Sequence, residues 1–240
     1  MSKGMYIIGT DTEVGKTVVS AGLMHLLLAK KHRSAYFKPV ASGAVVISGV
    51  TEAIDAVFVR TASGFIEEQK NITPFVFKNA VAPHLAARLE QKPIDVEVIK
   101  DRLQYLKGRY GWIIAEGAGG LAVPLNDEGY MQYDLIRELG FSCLLVARAG
   151  LGTINHTLLT MHFARSVGLR IKGIIINGST QGLSERDNME TITKLAGVSA
   201  IITVPALIGV DTEKRQVGNL KEVFEKSIVI DEIMAMMDAV

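Results

Sequence analysis

Gly15, Lys16 and Thr17 are the residues with the clearest chemical meaning, and they end a loop over residues 9–17. The loop follows a short apolar run and precedes a helical pattern, so a first strand turns into a first helix here. Glycine lets the backbone approach a phosphate, and the free amides of a helix start attract anions. Lysine adds a mobile positive charge, and a threonine hydroxyl can ligate magnesium. The pattern predicts a site for a nucleoside triphosphate with Mg²⁺.

The first glycine of this loop is displaced. The usual phosphate loop has a glycine where Thr10 stands, whereas here the glycine is Gly9. The alternative is a plain glycine turn with a surface lysine, but the strand–loop–helix context favours the phosphate loop. Asp11 and Glu13 lie inside the loop, where a carboxylate repels phosphate. We therefore expect them to face a ribose, a metal-bound water or solvent.

Two carboxylates are candidate metal ligands, because Mg²⁺ prefers oxygen and takes one or two carboxylates together with phosphate oxygens. Glu116 ends an apolar run over residues 112–116 and begins the glycine-rich segment 116–120. The alternative for Glu116 is a strand-end side chain that faces water. Asp55 precedes an apolar run over residues 56–60, and the local sequence alone favours a helix N-cap for it.

Lys38 ends the second apolar run and begins the segment 38–43. It is either a solvated charge or a second cation that neutralises a transferring phosphoryl group. Ser42 and Gly43 follow with a hydroxyl and an open backbone that suit another substrate.

A second glycine-rich loop covers residues 150–156 and opens a long apolar helix, so it predicts an anion cradle. It lacks the third glycine of a dinucleotide fingerprint, which argues against a nicotinamide site. His156 fits a structural or capping role better than a catalytic base. Asn177 ends another apolar run, where its amide could pair with a purine edge; alone, the pair Asn177 and Gly178 favours a turn.

The elements that must position these residues alternate along the chain. We predict strands over residues 5–9, 34–38, 112–116, 143–148, 171–177 and 200–204. We predict helices over residues 17–31, 86–91, 95–107, 132–139, 154–167 and 186–195. The pattern indicates one α/β domain over residues 1–240, with a mostly parallel sheet flanked by helices. In such sheets ligands bind beyond the carboxyl ends of the strands. The loop 41–54 and the tail after Gly209 are expected to be irregular.

Composition narrows the class of protein. Hydrophobic residues make up 48% and charged residues 21%, and the formal net charge is +1. This is typical of a globular chain and gives no sign of a nucleic-acid surface or a basic membrane patch. Cys143 is the one cysteine, and its apolar surroundings favour a packed core thiol. With no signal-peptide or membrane-span pattern, we expect a cytoplasmic protein.

Four segments together carry a resemblance to a known family: residues 9–17, 38–43, 116–120 and 152–156. Read together, they resemble the dethiobiotin synthetases of biotin biosynthesis, from residue 3 to about residue 207, and the displaced first glycine is a variant found in that family. The resemblance implies a fold like that of P-loop NTPases. It also implies a ligase that closes 7,8-diaminononanoate with CO₂ and ATP to dethiobiotin, ADP and phosphate, through a carbamate and a carbamic–phosphoric anhydride.

The resemblance also implies roles for individual residues. Lys16 and Lys38 are implied to be catalytic, and the metal ligands are implied to be Thr17, Asp55 and Glu116. The implied ATP-binding residues are Glu13, Val14, Gly15, Lys16, Thr17, Val18, Asp55, Glu116, Gly117, Ala118, Gly119, Asn177, Pro205, Ala206 and Leu207. The implied substrate-binding residues are Ser42, Gly152, Thr153, Ile154 and Asn155, the last four supplied by the partner subunit of a homodimer. Where the family has a polar stretch before Asp55, residues 44–54 are apolar here.

Two other functions remain open from the sequence. One is a related ATP-dependent carbon–nitrogen ligase or amidoligase, against which the segment 38–43 argues. The other is an ATPase switch like ParA or MinD. Such switches typically carry an additional lysine early in the phosphate loop, which is absent here, and the acidic, apolar C-terminal segment does not suit an anionic membrane.

Overall fold

The computed structural model describes residues 1–47, 49–198 and 200–240. The strands are β1 (Lys3–Gly9), β2 (Ser34–Phe37), β3 (Val40–Ala41), β4 (Val45–Ile47), β5 (Val50–Glu52), β6 (Phe75–Val76), β7 (Trp112–Glu116), β8 (Ser142–Arg148), β9 (Ile171–Ser179), β10 (Ala200–Pro205), β11 (Val210–Asp211), β12 (Gln216–Val217) and β13 (Asp238–Ala239). The helices are α1 (Lys16–Ala29), α2 (Ile54–Ser63), α3 (Gln69–Ile72), α4 (Pro83–Leu89), α5 (Val96–Lys107), α6 (Gln132–Leu139), α7 (Thr153–Ser166), α8 (Leu183–Ala196), α9 (Leu220–Ser227) and α10 (Ile230–Met236).

The main sheet has the strand order β10-β9-β8-β1-β7-β2, and these neighbours are all parallel. The short strand β13 adds to β1 in the antiparallel sense. Strands β1, β7 and β8 are buried along almost their whole length, which explains why their sequences are continuous apolar runs rather than alternating ones. The predicted fold class, a mostly parallel sheet flanked by helices, is confirmed.

Because the strands are parallel, their carboxyl ends share one edge of the sheet. Gly9, Glu116 and Arg148 end β1, β7 and β8, and Lys38 directly follows β2. Asn177 lies near the end of β9. These positions therefore converge on one edge of the sheet, where a ligand is expected.

The N-cap hypothesis for Asp55 is wrong. The N-cap of α2 is Ala53, and Asp55 lies in the first turn of the helix. The side-chain oxygen of Gln69 accepts a hydrogen bond of 2.9 Å from the Ala53 amide, and the Gln69 amide donates one of 2.8 Å to the Thr51 carbonyl. This glutamine fixes where α2 begins and leaves the Asp55 carboxylate available for contacts elsewhere.

The segments that were expected to be irregular contain regular structure. Within residues 41–54, β4 and β5 form an antiparallel hairpin; Ser48, part of that predicted loop, lies outside the described residues. The tail after Gly209 forms the hairpin β11–β12, then α9, α10 and β13. Two predicted helices also begin earlier than expected, α4 at Pro83 and α8 at Leu183.

Cys143 is fully buried in the core, as its apolar surroundings predicted. Burial raises the pKa of its thiol to about 12, so the reactive thiolate form is suppressed at neutral pH.

Among the described residues, no helix combines the length and the apolar character that a bilayer crossing requires.

The tail is held to the rest of the fold by a close approach of two helices. Phe224 of α9 is fully buried, and its ring faces Gly22 in the middle of α1. A Cβ atom at position 22 would lie 2.1 Å from the Phe224 Cδ1 atom. Glycine is therefore needed here for packing, although it is a poor helix former.

We predict that Gly22→Ala destabilises the protein. An alanine in a helix interior normally stabilises by about 0.5–1 kcal/mol relative to glycine, but overpacking against Phe224 should reverse the sign and cost about 1–3 kcal/mol. Denaturant unfolding gives the free energy directly.

The matched control is Gly108→Ala at the end of α5. There the nearest atom to an added Cβ is the Tyr105 carbonyl oxygen at 3.5 Å, an ordinary contact. We expect the free energy of unfolding to be unchanged or slightly raised in this control. Equal effects of the two substitutions would contradict the packing of α9 on α1 described above.

Candidate active site

The phosphate loop wraps from the end of β1 to the start of α1. Gly15 is the N-cap of α1 and has φ 96°, a left-handed conformation that favours glycine. A Cβ atom at this position would lie 2.1 Å from the Asn177 side-chain nitrogen. That amide donates a hydrogen bond of 3.1 Å to the Val14 carbonyl, so Asn177 supports the loop from behind.

Lys16 is buried beneath the loop, and its Nζ donates a hydrogen bond of 2.9 Å to the Asp11 carbonyl. Burial and the neighbouring Lys38 ammonium lower the pKa of Lys16 to about 8. A phosphate would replace these unfavourable surroundings with opposite charge. The side chains of Asp11 and Glu13 lie on the exposed surface of the loop.

Three oxygen-bearing side chains meet at the start of α1. The Thr17 hydroxyl oxygen lies 2.8 Å from Asp55 Oδ1 and 2.8 Å from Glu116 Oε1. These residues come from α1, α2 and the end of β7, so only the folded chain brings them together. The Glu116 side chain is 0% exposed and that of Asp55 is 30% exposed.

Lys38 joins the two carboxylates. Its Nζ lies 2.5 Å from Asp55 Oδ2 and 2.8 Å from Glu116 Oε1. Burial alone would lower the pKa of Lys38, but the charges of Asp55 and Glu116 raise it above its ordinary value. Burial would likewise raise the pKa of Asp55, but Lys38 and Thr17 lower it. The lysine is therefore protonated and the aspartate is ionised. The interpretation of Lys38 as a solvated surface charge is wrong.

The cluster of Thr17, Asp55 and Glu116 fits a magnesium ion by its chemistry. All its donors are oxygens, and two carboxylates with one hydroxyl leave room for the phosphate oxygens and waters that Mg²⁺ usually keeps. The Lys38 ammonium already lies between the carboxylates as a stand-in cation, which shows that this position stabilises positive charge.

Tyr36 was not singled out from the sequence, yet it contacts the same carboxylate. Its hydroxyl donates a buried hydrogen bond of 2.9 Å to Glu116 Oε2. Burial and the charge of Glu116 raise the pKa of Tyr36 well above its ordinary value, so the hydroxyl stays protonated. The sequence did contain a signal for this contact. Tyr36 lies two residues before Lys38 in the predicted strand 34–38, and residues two apart on a strand share a face.

Gln132, at the start of α6, is a second residue that sequence reasoning missed. Its side-chain oxygen accepts a hydrogen bond of 2.7 Å from the Ala118 amide, and its nitrogen donates one of 2.7 Å to the Gly120 carbonyl. A Cβ atom on Gly117 would lie 2.9 Å from this side chain. Gln132 therefore clamps the glycine-rich segment 116–120 after Glu116, and no spacing pattern in the sequence pointed to it.

A cavity of about 950 Å³ opens over this cluster. Its lining includes many of the predicted site residues: Glu13, Gly15, Lys16, Thr17, Val18, Lys38, Ser42, Asp55, Glu116, Ala118 and Gly119. Residues 80–83, which end at the first residue of α4, and residues 210–213 of the β11–β12 hairpin also line it. The hairpin belongs to the tail whose role the sequence did not indicate.

The remaining predicted residues lie outside this lining. Val14 and Gly117 are absent from the lining, and Asn177 contacts the phosphate loop from the β9 side. The other residues absent from the lining are Pro205, Ala206, Leu207, Gly152, Thr153, Ile154 and Asn155. Gly152 is the N-cap of α7 with φ 89°, and Asn155 is exposed.

The fold is shared with solved structures of cell-division ATPases. The MinC:MinD complex of Aquifex aeolicus superposes with a TM-score of 0.60 at 13% sequence identity, covering 100% of this chain and 98% of that one. MinD of Pyrococcus horikoshii with Mg-ADP gives 0.60 at 16% identity, covering 97% and 96%. At such identities the likeness establishes a P-loop NTPase fold and nothing finer.

Sequence relatives are more specific. A family model described as an AAA domain matches residues 3–214. The ATP-dependent dethiobiotin synthetase BioD of Clostridium kluyveri is 42% identical over 244 residues, covering 99% of both chains. The enzyme of the same name from Clostridium acetobutylicum is 38% identical over 241 residues, covering 99% of this chain and 100% of that one. With end-to-end identity at this level, this chain belongs to the dethiobiotin synthetase family.

Proposed function

We propose that this protein catalyses the ATP- and Mg²⁺-dependent closure of 7,8-diaminononanoate and CO₂ to dethiobiotin, with release of ADP and phosphate. The observation that carries the proposal is the cluster in which Lys38 lies between Asp55 and Glu116, beside Thr17 and the phosphate loop. It supplies cations and metal ligands for a triphosphate, and all four residues line a cavity of about 950 Å³, which leaves room for a second substrate.

Each charged group has a role in the transfer of the γ-phosphoryl group. Lys16 and the amides at the start of α1 bind the phosphates. Thr17, Asp55 and Glu116 would hold Mg²⁺, which when bound would neutralise negative charge on the triphosphate. Lys38 stabilises the negative charge that develops on the transferring group. Catalysis then rests on positioning and electrostatics rather than on a covalent enzyme intermediate.

The reaction proceeds in three steps on the substrate. One amine of the diamine adds to CO₂ and loses a proton, which gives a carbamate. A carbamate oxygen attacks the γ-phosphorus of ATP, so the mixed carbamic–phosphoric anhydride forms and ADP leaves. The second amine then attacks the carbamoyl carbon, loses a proton, closes the ureido ring and expels phosphate. We assign the contact with the carbamate to Lys38 and the contact with the diamine to Ser42, since both residues line the cavity.

The adenine end of ATP is assigned to Asn177 and residues 205–207. The Asn177 nitrogen is committed to the Val14 carbonyl, while its buried Oδ1 has no hydrogen-bond partner among the described residues. An acceptor held in this way suits the exocyclic amine of a purine. Ala206 begins the turn after β10 and is exposed. Its amide donates a hydrogen bond to the carbonyl of Ser179, which follows Asn177 by two residues.

The carboxylate end of the diamine is assigned to the start of α7, supplied by a second copy of the chain. Residues 152–155 do not line the cavity of their own chain, which supports a contribution from a partner. Leu151, Leu159 and Phe163 on and beside α7 are exposed at 100%, 61% and 37%. Such apolar exposure suits burial in a homodimer.

We assign no membrane or nucleic-acid partner and place the enzyme in the cytoplasm.

Two alternatives define the discriminating experiment. A MinD-like switch shares the fold and would hydrolyse ATP without any amine, whereas a different carbon–nitrogen ligase would need another amine or carboxylate. The names of the relatives and the segment 38–43 favour the dethiobiotin reaction over both.

Purified protein supplied with 7,8-diaminononanoate, bicarbonate and Mg-ATP should form dethiobiotin and ADP in equal amounts. Mass spectrometry detects the product and a coupled assay follows ADP. Omitting the diamine should abolish ADP release, because the phosphoryl acceptor is then missing. Steady ADP release without the diamine would instead support a switch, and no dethiobiotin under any condition would refute the proposal.

Lys38→Met is the informative variant in this assay. It should lower kcat by about 10²–10³-fold, the loss typical of a removed charge-stabilising group, while Lys16 keeps ATP binding measurable by calorimetry. The control is Lys100→Met on the exposed surface of α5, which should keep wild-type turnover. Equal kcat values for the two variants would remove Lys38 from the chemistry.

Complementation between subunits tests the shared site. We expect Lys38→Met and Asn155→Asp each to be inactive at low diamine concentration, the second because its new charge repels the substrate carboxylate. If the cradle comes from the partner subunit, a heterodimer of the two variants keeps one intact site and should show about half of wild-type activity. Differently tagged, co-expressed chains allow the heterodimer to be purified.

A heterodimer without activity would place residues 152–155 in the site of their own chain. An active monomer in equilibrium sedimentation would refute the shared site altogether. The two single-variant homodimers, purified with the same tags, give the background activity.

A further inference from the structure

The two oxygens of the Glu116 carboxylate have separate surroundings. Oε1 faces the cavity cluster and lies 2.8 Å from both the Thr17 hydroxyl and Lys38 Nζ. Oε2 points into the fold, where the Tyr36 hydroxyl donates its hydrogen bond of 2.9 Å. Glu116 and Tyr36 are both fully buried, so water does not compete for that oxygen.

The sheet brings these groups together. Tyr36 of β2 pairs in register with Ile114 of the parallel strand β7, two residues before Glu116. Lys38 directly follows β2, and Tyr36 and Lys38 approach the same carboxylate from neighbouring positions. One takes Oε2 and the other takes Oε1. The carboxylate plane is thereby held at both ends.

We propose that Tyr36 is a positioning residue that aims Glu116 Oε1 at the metal position and so sets the affinity of the enzyme for Mg²⁺. This inference rests on the proposed role of Glu116 as a magnesium ligand. A carboxylate can rotate about its last side-chain bond, and a hydrogen bond to the oxygen that faces away from the metal fixes the oxygen that faces it. Partners of this kind typically change metal affinity by about 10–100-fold when removed.

A purely structural role is the competing explanation, and Tyr36→Phe separates the two. The substitution keeps the ring and its packing and removes only the hydroxyl. A structural bond would cost stability and nothing else. A positioning bond would also weaken Mg²⁺ binding while leaving the nucleotide contacts of Lys16 and the phosphate loop intact.

The chain offers a closely matched control in Tyr110. Its hydroxyl donates a hydrogen bond of the same length, 2.9 Å, to Glu67 Oε2, and neither residue lines the cavity. Both Tyr→Phe variants lose one tyrosine–glutamate bond, so both should lose some stability. Only Tyr36→Phe should change the response to metal.

The test titrates MgCl₂ into enzyme saturated with a non-hydrolysable ATP analogue and follows the heat of binding, without any turnover. We expect Mg²⁺ to bind about 10–100-fold more weakly to Tyr36→Phe and with wild-type affinity to Tyr110→Phe. Without Mg²⁺, the affinity of Tyr36→Phe for the analogue should equal that of the wild type, because the contacts of Lys16 and the phosphate loop are unchanged.

Glu116→Gln, measured in parallel, tells the failure of this inference from the failure of the metal assignment. If Glu116→Gln weakens Mg²⁺ binding and Tyr36→Phe does not, the positioning role is overturned and the proposed function stands. If neither substitution changes the affinity for Mg²⁺, both the metal ligand and the positioning role are overturned.

Discussion

The buried carboxylate of Glu116 is the constraint on which the rest of this site depends. An ionised carboxylate without water is costly unless it is paired and hydrogen-bonded. Here Lys38, Thr17 and Tyr36 supply those partners. Each comes from a different element or position, so the charge can be tolerated only when β2, β7 and α1 are assembled. The same requirement makes the site ready for a divalent cation, since it already stabilises positive charge between its carboxylates.

The parallel sheet brings the groups of this site together at one of its edges. Parallel strands place Gly9, Lys38 and Glu116 at neighbouring carboxyl ends. Thr17 and Asp55, in the first turns of α1 and α2, lie at the same edge of the sheet. The fold is common to MinD-type ATPases, yet the fold does not decide what a triphosphate is used for. That decision lies in the groups around it. A lysine paired to both carboxylates of the cluster, beside a cavity of about 950 Å³, suits a phosphoryl transfer to a bound acceptor.

The sequence allowed prediction of what depends on local order. The strand–loop–helix around Lys16, and the strand ends at Lys38 and Glu116, follow from short-range periodicity and glycine placement. The local sequence alone favoured a helix cap for Asp55, and only the family resemblance implied a metal ligand, because its contact with Thr17 joins residues far apart in the chain. The role of Tyr36 was not predicted for the same reason. A tyrosine in a buried strand has the pattern of a core residue, and the partner of its hydroxyl lies far away in the chain. The tail was expected to be irregular because its packing on α1 is a tertiary contact that no periodicity reports.

The most direct test of this account is a crystal structure with Mg²⁺, a non-hydrolysable ATP analogue and the diamine. We expect a metal ion about 2.1 Å from oxygens of Thr17, Asp55 and Glu116. We also expect Lys38 Nζ to have left Asp55 and to face the γ-phosphate, while Tyr36 keeps its bond to Glu116. A metal bound elsewhere, with Lys38 still joining the two carboxylates, would contradict it.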